Sequence, residues 1–105
     1  MLFADVLASL PAIDHLSALE LLDGETQVAR IENKPGQAGS VRVYHALYQE
    51  FGAINAVAAA KGLRLYAEHS RDALAFPGKH PNIDRLLTLA ENGKPLAVKL
   101  ISAKI

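Results

Sequence analysis

The dipeptide Asp23-Gly24, set between the two apolar stretches of "ALELLDGETQVARIE", constrains this chain more than any other feature. A two-residue Asp-Gly loop accepts the positive φ angles that match the twist of antiparallel strands. It therefore predicts a β-hairpin, with strands near 18–22 and 27–32. A hairpin must bury one face against something else. The last apolar segment, "LAVKLI", reads as a further strand, and the segments between supply helices. The fold class that follows is α+β, a small antiparallel sheet of the hairpin plus the C-terminal strand, packed by several helices. At 105 residues the chain has the length of a single domain. Chains of this size bury roughly 60–70% of their unfolded surface, a thin core that pairing with a second copy would reinforce.

Helical periodicity marks the covering elements. Phe3, Val6, Leu7 and Leu10 recur at i, i+3, i+4 and i+7, a short helix that Pro11 stops. Val41, Tyr44, Leu47, Tyr48 and Phe51 form one stripe, opened by Ser40 as N-cap and closed by Gly52. Asn55 caps "AVAAAK", with Gly62 either ending that helix or lying inside it. The stretch 63–69 suits helix or strand; helix is preferred because Arg64 to Glu68 and Glu68 to Arg71 are ion-pair spacings. After the turn "FPGKHPN", Ile83, Leu86, Leu87 and Ala90 give a last helix that ends at Asn92-Gly93 and Pro95. Tyr44, Tyr48 and Phe51 could form a ligand platform, but aromatics at helical spacing are assigned to the core.

Charge excludes some functions. Eleven basic residues balance eleven acidic ones, so there is no overall field to draw in nucleic acid or an anionic membrane. The distribution is uneven: residues 1–33 hold six acids and one base, residues 34–105 ten bases and five acids. The simpler reading is attraction between the two parts within one fold; the other is head-to-tail contact between copies, a homodimer. No cysteine is present, which removes disulfides, thiolate metal ligands and cysteine nucleophiles. The start, "MLFADVLASLPA", lacks a basic leader and carries Asp5 in its apolar part, and no run reaches the ~18 apolar residues of a membrane span. The expectation is a complete cytoplasmic protein.

Two turns hold the candidate chemistry. "ENKPGQAGS" looks like a phosphate cradle, with Gly36, Gly39 and Ser40 before a helix and Lys34 upstream. It departs from the NTPase loop, which needs four residues between its glycines and a lysine directly before Ser or Thr. The structural alternative is a Pro35-Gly36 type II turn, a positive φ at Gly39 and a Ser40 cap. Cations beside a helix N-terminus are unfavourable by a few tenths of a kcal/mol each. Yet Arg42 stands in one first turn, and Lys79, His80 and Arg85 surround the next helix start, offset in part by Asp84. Lys34, Gly36, Gly39, Ser40, Lys79 and His80 are therefore the candidate anion site.

The second candidate set is His45, Glu68, His69, His80 and Asp84, which could ligate a divalent ion or supply a general base. No H-E-x-x-H or H-x-H pair places two of them on one face, and the simpler reading is that the four histidines, His15 included, are surface or capping residues. No G-x-S-x-G elbow supports a serine triad.

The strings "RIENKPGQAGS", "VYHAL", "FGAIN", "YAEH" and "PGKHPNIDRLL" together resemble a family of small bacterial proteins, mostly proteobacterial, classed as a domain of unknown function. The resemblance runs from about Ile13 to Leu100, and IENKPG with PGKHPNID is more specific than either alone. It implies a single bacterial cytoplasmic domain and carries over no catalytic residue, substrate or cofactor. The sequence supports a small binding or interaction module rather than an enzyme. A small-anion binder at two helix N-termini and a metal-dependent enzyme are the alternatives.

Overall fold

The computed structural model describes residues 2–103, with Asn92 described by its backbone alone. The hairpin forms where expected, but its two-residue loop is Gly24-Glu25, with Gly24 at φ +62° and Asp23 paired with Thr26. This loop joins β1 (Leu16–Asp23) to β2 (Thr26–Glu32), and β3 (Ala97–Ser102) runs antiparallel along the other edge of β1, giving the order β2-β1-β3. Period-two alternation sorts the faces. Leu19 pairs with Ile31 and Leu100, and Leu21 with Ala29 and Val98, all part of the core or packed on it. Between them Glu20 pairs with Arg30 and Lys99, and Arg30 bridges Glu20 at 2.6 Å and Glu32 at 3.0 Å on the opposite face.

The described residues form five helices, α1 (Phe3–Ser9), α2 (Ala38–Phe51), α3 (Ala56–Leu65), α4 (Glu68–Ala75) and α5 (Pro81–Asn92), of which α2 lies on the sheet. α2 packs against both β1 and β2 and against α1 and α3; α5 packs against α3 and α4. A helix with sheet on one side and helix on the other buries more than a stripe. This is why Val43 and His45 are buried together with Val41, Tyr44 and Leu47. His45 is thus a core residue at 2% exposure, not the surface or capping histidine expected. Reciprocal backbone hydrogen bonds between Ile54 and Leu96, at 2.9 and 3.0 Å, tie the loop after α2 to the entry of β3.

Asn33 fixes the exit of the hairpin. Its Nδ2 donates to the Ile13 carbonyl at 3.0 Å and the Leu16 carbonyl at 2.7 Å, while its own N–H donates to Ser17 O at 2.9 Å. The turn that follows therefore leaves the sheet at a set place, toward α2.

Several local expectations need correction. α2 starts at Ala38, so Ser40 is its third residue rather than its cap, and its hydroxyl accepts from Tyr66 Oη at 2.7 Å. Gly39 is not in the left-handed region; a Cβ there would lie 3.3 Å from the Phe3 ring, so close packing of α1 is what the glycine permits. Arg42 donates to Leu10 O at 3.2 Å and Pro11 O at 3.4 Å, which puts its charge at the C-terminal end of α1, where a cation is favourable. Asn55 does cap α3, its Oδ1 accepting from Ala58 N–H at 2.8 Å, and Gly62 lies inside that helix. Residues 63–69 are helical on both sides of a break at Ala67, whose φ of +53° is unusual for a residue with a Cβ. The break removes the register on which the Arg64–Glu68 pair depended.

Candidate functional site

Two segments 42 residues apart share one design. In Lys34-Pro35-Gly36-Gln37 and in Phe76-Pro77-Gly78-Lys79 the fourth N–H donates to the first carbonyl, at 2.9 and 3.1 Å, and each glycine has φ +92°. Proline at the second position and a positive φ at the third are the requirements of a type II turn. Each turn leads into a helix, α2 after Gln37 and α5 after His80.

The two helix starts line one cleft of about 450 Å³, within the range of small-molecule sites. One wall is Gly36, Ala38, Gly39 and Ser40; the facing wall is Lys79, His80, Pro81, Asn82 and Ile83. Phe3 and Leu7 of α1 and Tyr66 and His69 beside the α3–α4 break complete it. Gly39 and Asn82 are each the second residue of a helix, and among the described residues neither N–H has an acceptor. The aromatic floor is ordered: Tyr66 stacks on Phe3 with centroids 5.3 Å apart, and His69 meets Phe3 edge-on at 5.1 Å. Burial raises the Tyr66 phenol far above its ordinary range, so it is a neutral donor to Ser40.

The polar rim is held from behind. One oxygen of Asp72, Oδ2, lies 2.6 Å from His80 Nε2 and 2.9 Å from Lys79 Nζ. Those two partners, His80 first, hold the Asp72 carboxyl below its usual 3.8. Tyr44 Oη donates to Asn82 O at 2.6 Å and accepts from Arg85 Nη1 at 3.1 Å, and the same Nη1 donates to Asn82 Oδ1 at 2.9 Å. Burial pushes the Tyr44 phenol up to about 12, with Arg85 opposing. Glu68 accepts from Phe3 N–H at 2.7 Å, and its own N–H and that of Phe3 lower its carboxyl. Asp84 accepts from Gly78 N–H at 2.9 Å.

Of the six candidate anion residues, Gly36, Gly39, Ser40, Lys79 and His80 line this cleft; Lys34 is exposed outside the lining. The candidate metal set is dispersed. His69 and His80 are neighbours, with ring centroids 5.7 Å apart, but Glu68 and Asp84 are engaged with backbone amides and His45 packs edge-on against His15 at 5.5 Å. Among the described residues no group of three or more His, Asp and Glu side chains is arranged to hold a metal ion. Sequence reasoning missed Asp72, Tyr66, Phe3 and Asn82. A "PGKHPN" turn pointed near Asn82, whereas nothing in the spacing linked Asp72 or Phe3 to it.

Residues 3–100 match the model of a protein family described as an uncharacterized protein conserved in bacteria, DUF2322. The chain belongs to this family. The matched span of the DUF2322 protein includes both Pro-Gly turns and every residue of the cleft. No curated protein and no solved structure matches the chain. Among the described residues of this DUF2322 protein, no helix is long and apolar enough to cross a membrane. The exposed large apolar side chains include Leu2, Val28, Val57, Leu74 and Phe76, of which Leu74 and Phe76 share the end of α4.

His45 makes a separate prediction. Among the described residues its buried Nδ1 has no hydrogen-bond partner, and burial first, then the His15 charge, lowers its pKa below 6.5. The unfolded chain takes up this proton near 6.5 while the folded chain resists it, so stability is greatest above pH ~6.5 and declines as pH falls toward the lower folded value. His45→Leu is expected to flatten that decline and raise stability by about 1 kcal/mol, since an unpartnered buried polar atom is removed. Urea midpoints between pH 5 and 7.5 check this, and an unchanged pH slope in the variant would contradict it.

Proposed function

We propose that this protein is a small binding module whose cleft takes an organic anion. The apolar body of the ligand rests on Phe3, Leu7, Tyr66 and Ile83, and its anionic head faces Lys79, His80 and the N–H groups of Gly39 and Asn82. One observation carries the reading: two Pro-Gly turns, distant in sequence, bring two helix starts to one cleft. Free first-turn N–H groups favour an anion, and mixed apolar and polar lining is the usual character of a ligand site. The dispersal of His45, Glu68 and Asp84 gives the metal-dependent alternative less support.

An NMR titration of backbone amides with phenylacetate tests it. Saturable shifts centred on Gly39, Ser40, Lys79 and Asn82 are expected, and Lys79→Met should weaken them several-fold. Shifts centred elsewhere, or no saturable shift up to about 10 mM ligand, would overturn the proposal.

A further inference from the structure

The cleft has a charge limit built into its rear wall. Behind Lys79 and His80 stands Asp72, outside the lining, with a single carboxylate oxygen contacting both. Other charged groups on the elements that form the walls include Lys34 before the α2 start, Arg42 held on the Leu10 and Pro11 carbonyls, Arg85 held on Asn82 and Tyr44, Glu68 on the Phe3 amide, and Asp84 on the Gly78 amide. A ligand entering this site meets partial attraction from Lys79 and the free N–H groups, and repulsion from Asp72 just beyond them. That balance suits one negative charge better than two.

We infer that Asp72 sets the specificity of the cleft, selecting monoanionic carboxylates with an apolar body over dianionic phosphate esters. The inference rests on the organic-anion reading of the same cleft. Asp72 is a positioning and charge-setting residue: its Oδ2 already engages Lys79 Nζ and His80 Nε2, and a ligand headgroup must compete with it for both. The second charge of a dianion increases its repulsion from Asp72 and from Glu68 and Asp84. The apolar lining rewards the body equally in either case, so the headgroup alone decides the preference.

Phenylacetate and phenyl phosphate are the probes, because they share a ring and differ in head charge. At pH of about 7.5 phenyl phosphate is mostly dianionic. Affinities are measured by amide NMR titration of the full chain and of Asp72→Asn, with Asp72→Ser as a second neutral variant and a circular dichroism spectrum of each as a check of folding. Wild-type protein is expected to bind phenylacetate more tightly. Neutralising Asp72 is expected to improve phenyl phosphate about five- to tenfold and phenylacetate about two- to threefold, the scale of partly exposed charge pairs. Equal changes for both probes, no change, or a wild-type preference for phenyl phosphate would overturn the assignment of specificity while leaving the cleft a binding site. If neither probe moves the Gly39 and Asn82 amides in any of the proteins, the organic-anion reading falls and this inference with it.

Discussion

Truncation of Tyr44 to alanine is expected to lower the unfolding free energy by about 3–5 kcal/mol, the cost of removing a large aromatic side chain from a packed core. Tyr44 is completely buried at the middle of α2. Stabilities of small domains are only about 5–15 kcal/mol, so this variant is close to unfolded. Tyr44→Phe separates the ring from its hydroxyl. Loss of the bonds to Asn82 O and Arg85 Nη1 is expected to cost about 1–2 kcal/mol. The phenylalanine variant has a further consequence at the cleft. Tyr44 anchors the carbonyl of Asn82, a residue of the cleft wall, so the fold should persist while the start of α5 loosens and phenylacetate affinity drops. Urea unfolding followed by circular dichroism measures both variants. A loss below about 2 kcal/mol for Tyr44→Ala would mean that the α2 core repacks more freely than its burial implies.

The hairpin, the C-terminal strand and the helices at 3–9, 38–51, 56–65 and 81–92 were legible because each depends on local rules. Gly24 at φ +62° opens the hairpin loop one residue later than an Asp-Gly loop would, Asn55 caps its helix, and Gly52 at φ +77° ends another. Periodicity was less informative where an element is enclosed. α2 packs on sheet and helices at once, so a one-stripe reading left Val43 and His45 out of the core. The break at Ala67 was not legible at all. A non-glycine residue at positive φ costs of order 1 kcal/mol or more, and beside the local bond of Ser70 Oγ to Leu63 O stand two contacts from far along the chain: Tyr66 stacked on Phe3 and Glu68 on the Phe3 amide. The cleft divides in the same way. Basic residues at two helix starts pointed to Lys79 and His80, but the same argument enlisted Arg42, which serves the carbonyls after α1, and Lys34, which lies outside the lining. Charge near a helix start identifies candidates; only the third dimension shows which carbonyl or carboxylate each one already serves.

Gly62→Val is expected to cost about 3 kcal/mol, toward the upper end for overpacking a core. Gly62 is where α3 approaches α5: a Cβ added there would lie 2.8 Å from Leu86 Cδ1 and 2.9 Å from Leu47 Cδ1. Both leucines are themselves fully buried, so their methyl groups have little room to yield. Alanine is a revealing intermediate. It gains about 1 kcal/mol of helix propensity over glycine, which offsets part of the strain of one methyl group, and its net loss should be about 0–2 kcal/mol. Valine adds two further carbons and recovers less propensity because its β-branch restricts χ1. The strain must then push α5 away from α3, and α5 carries one wall of the cleft at its N-terminal end. The largest amide shifts in Gly62→Ala should therefore extend from Leu47 and Leu86 along α5 to Asn82. Leu86→Ala creates space opposite the added side chain, so combining it with Gly62→Val should cost less than the two single changes added together. Strict additivity, or a Gly62→Val protein as stable as wild type, would show that α3 and α5 do not meet at this glycine.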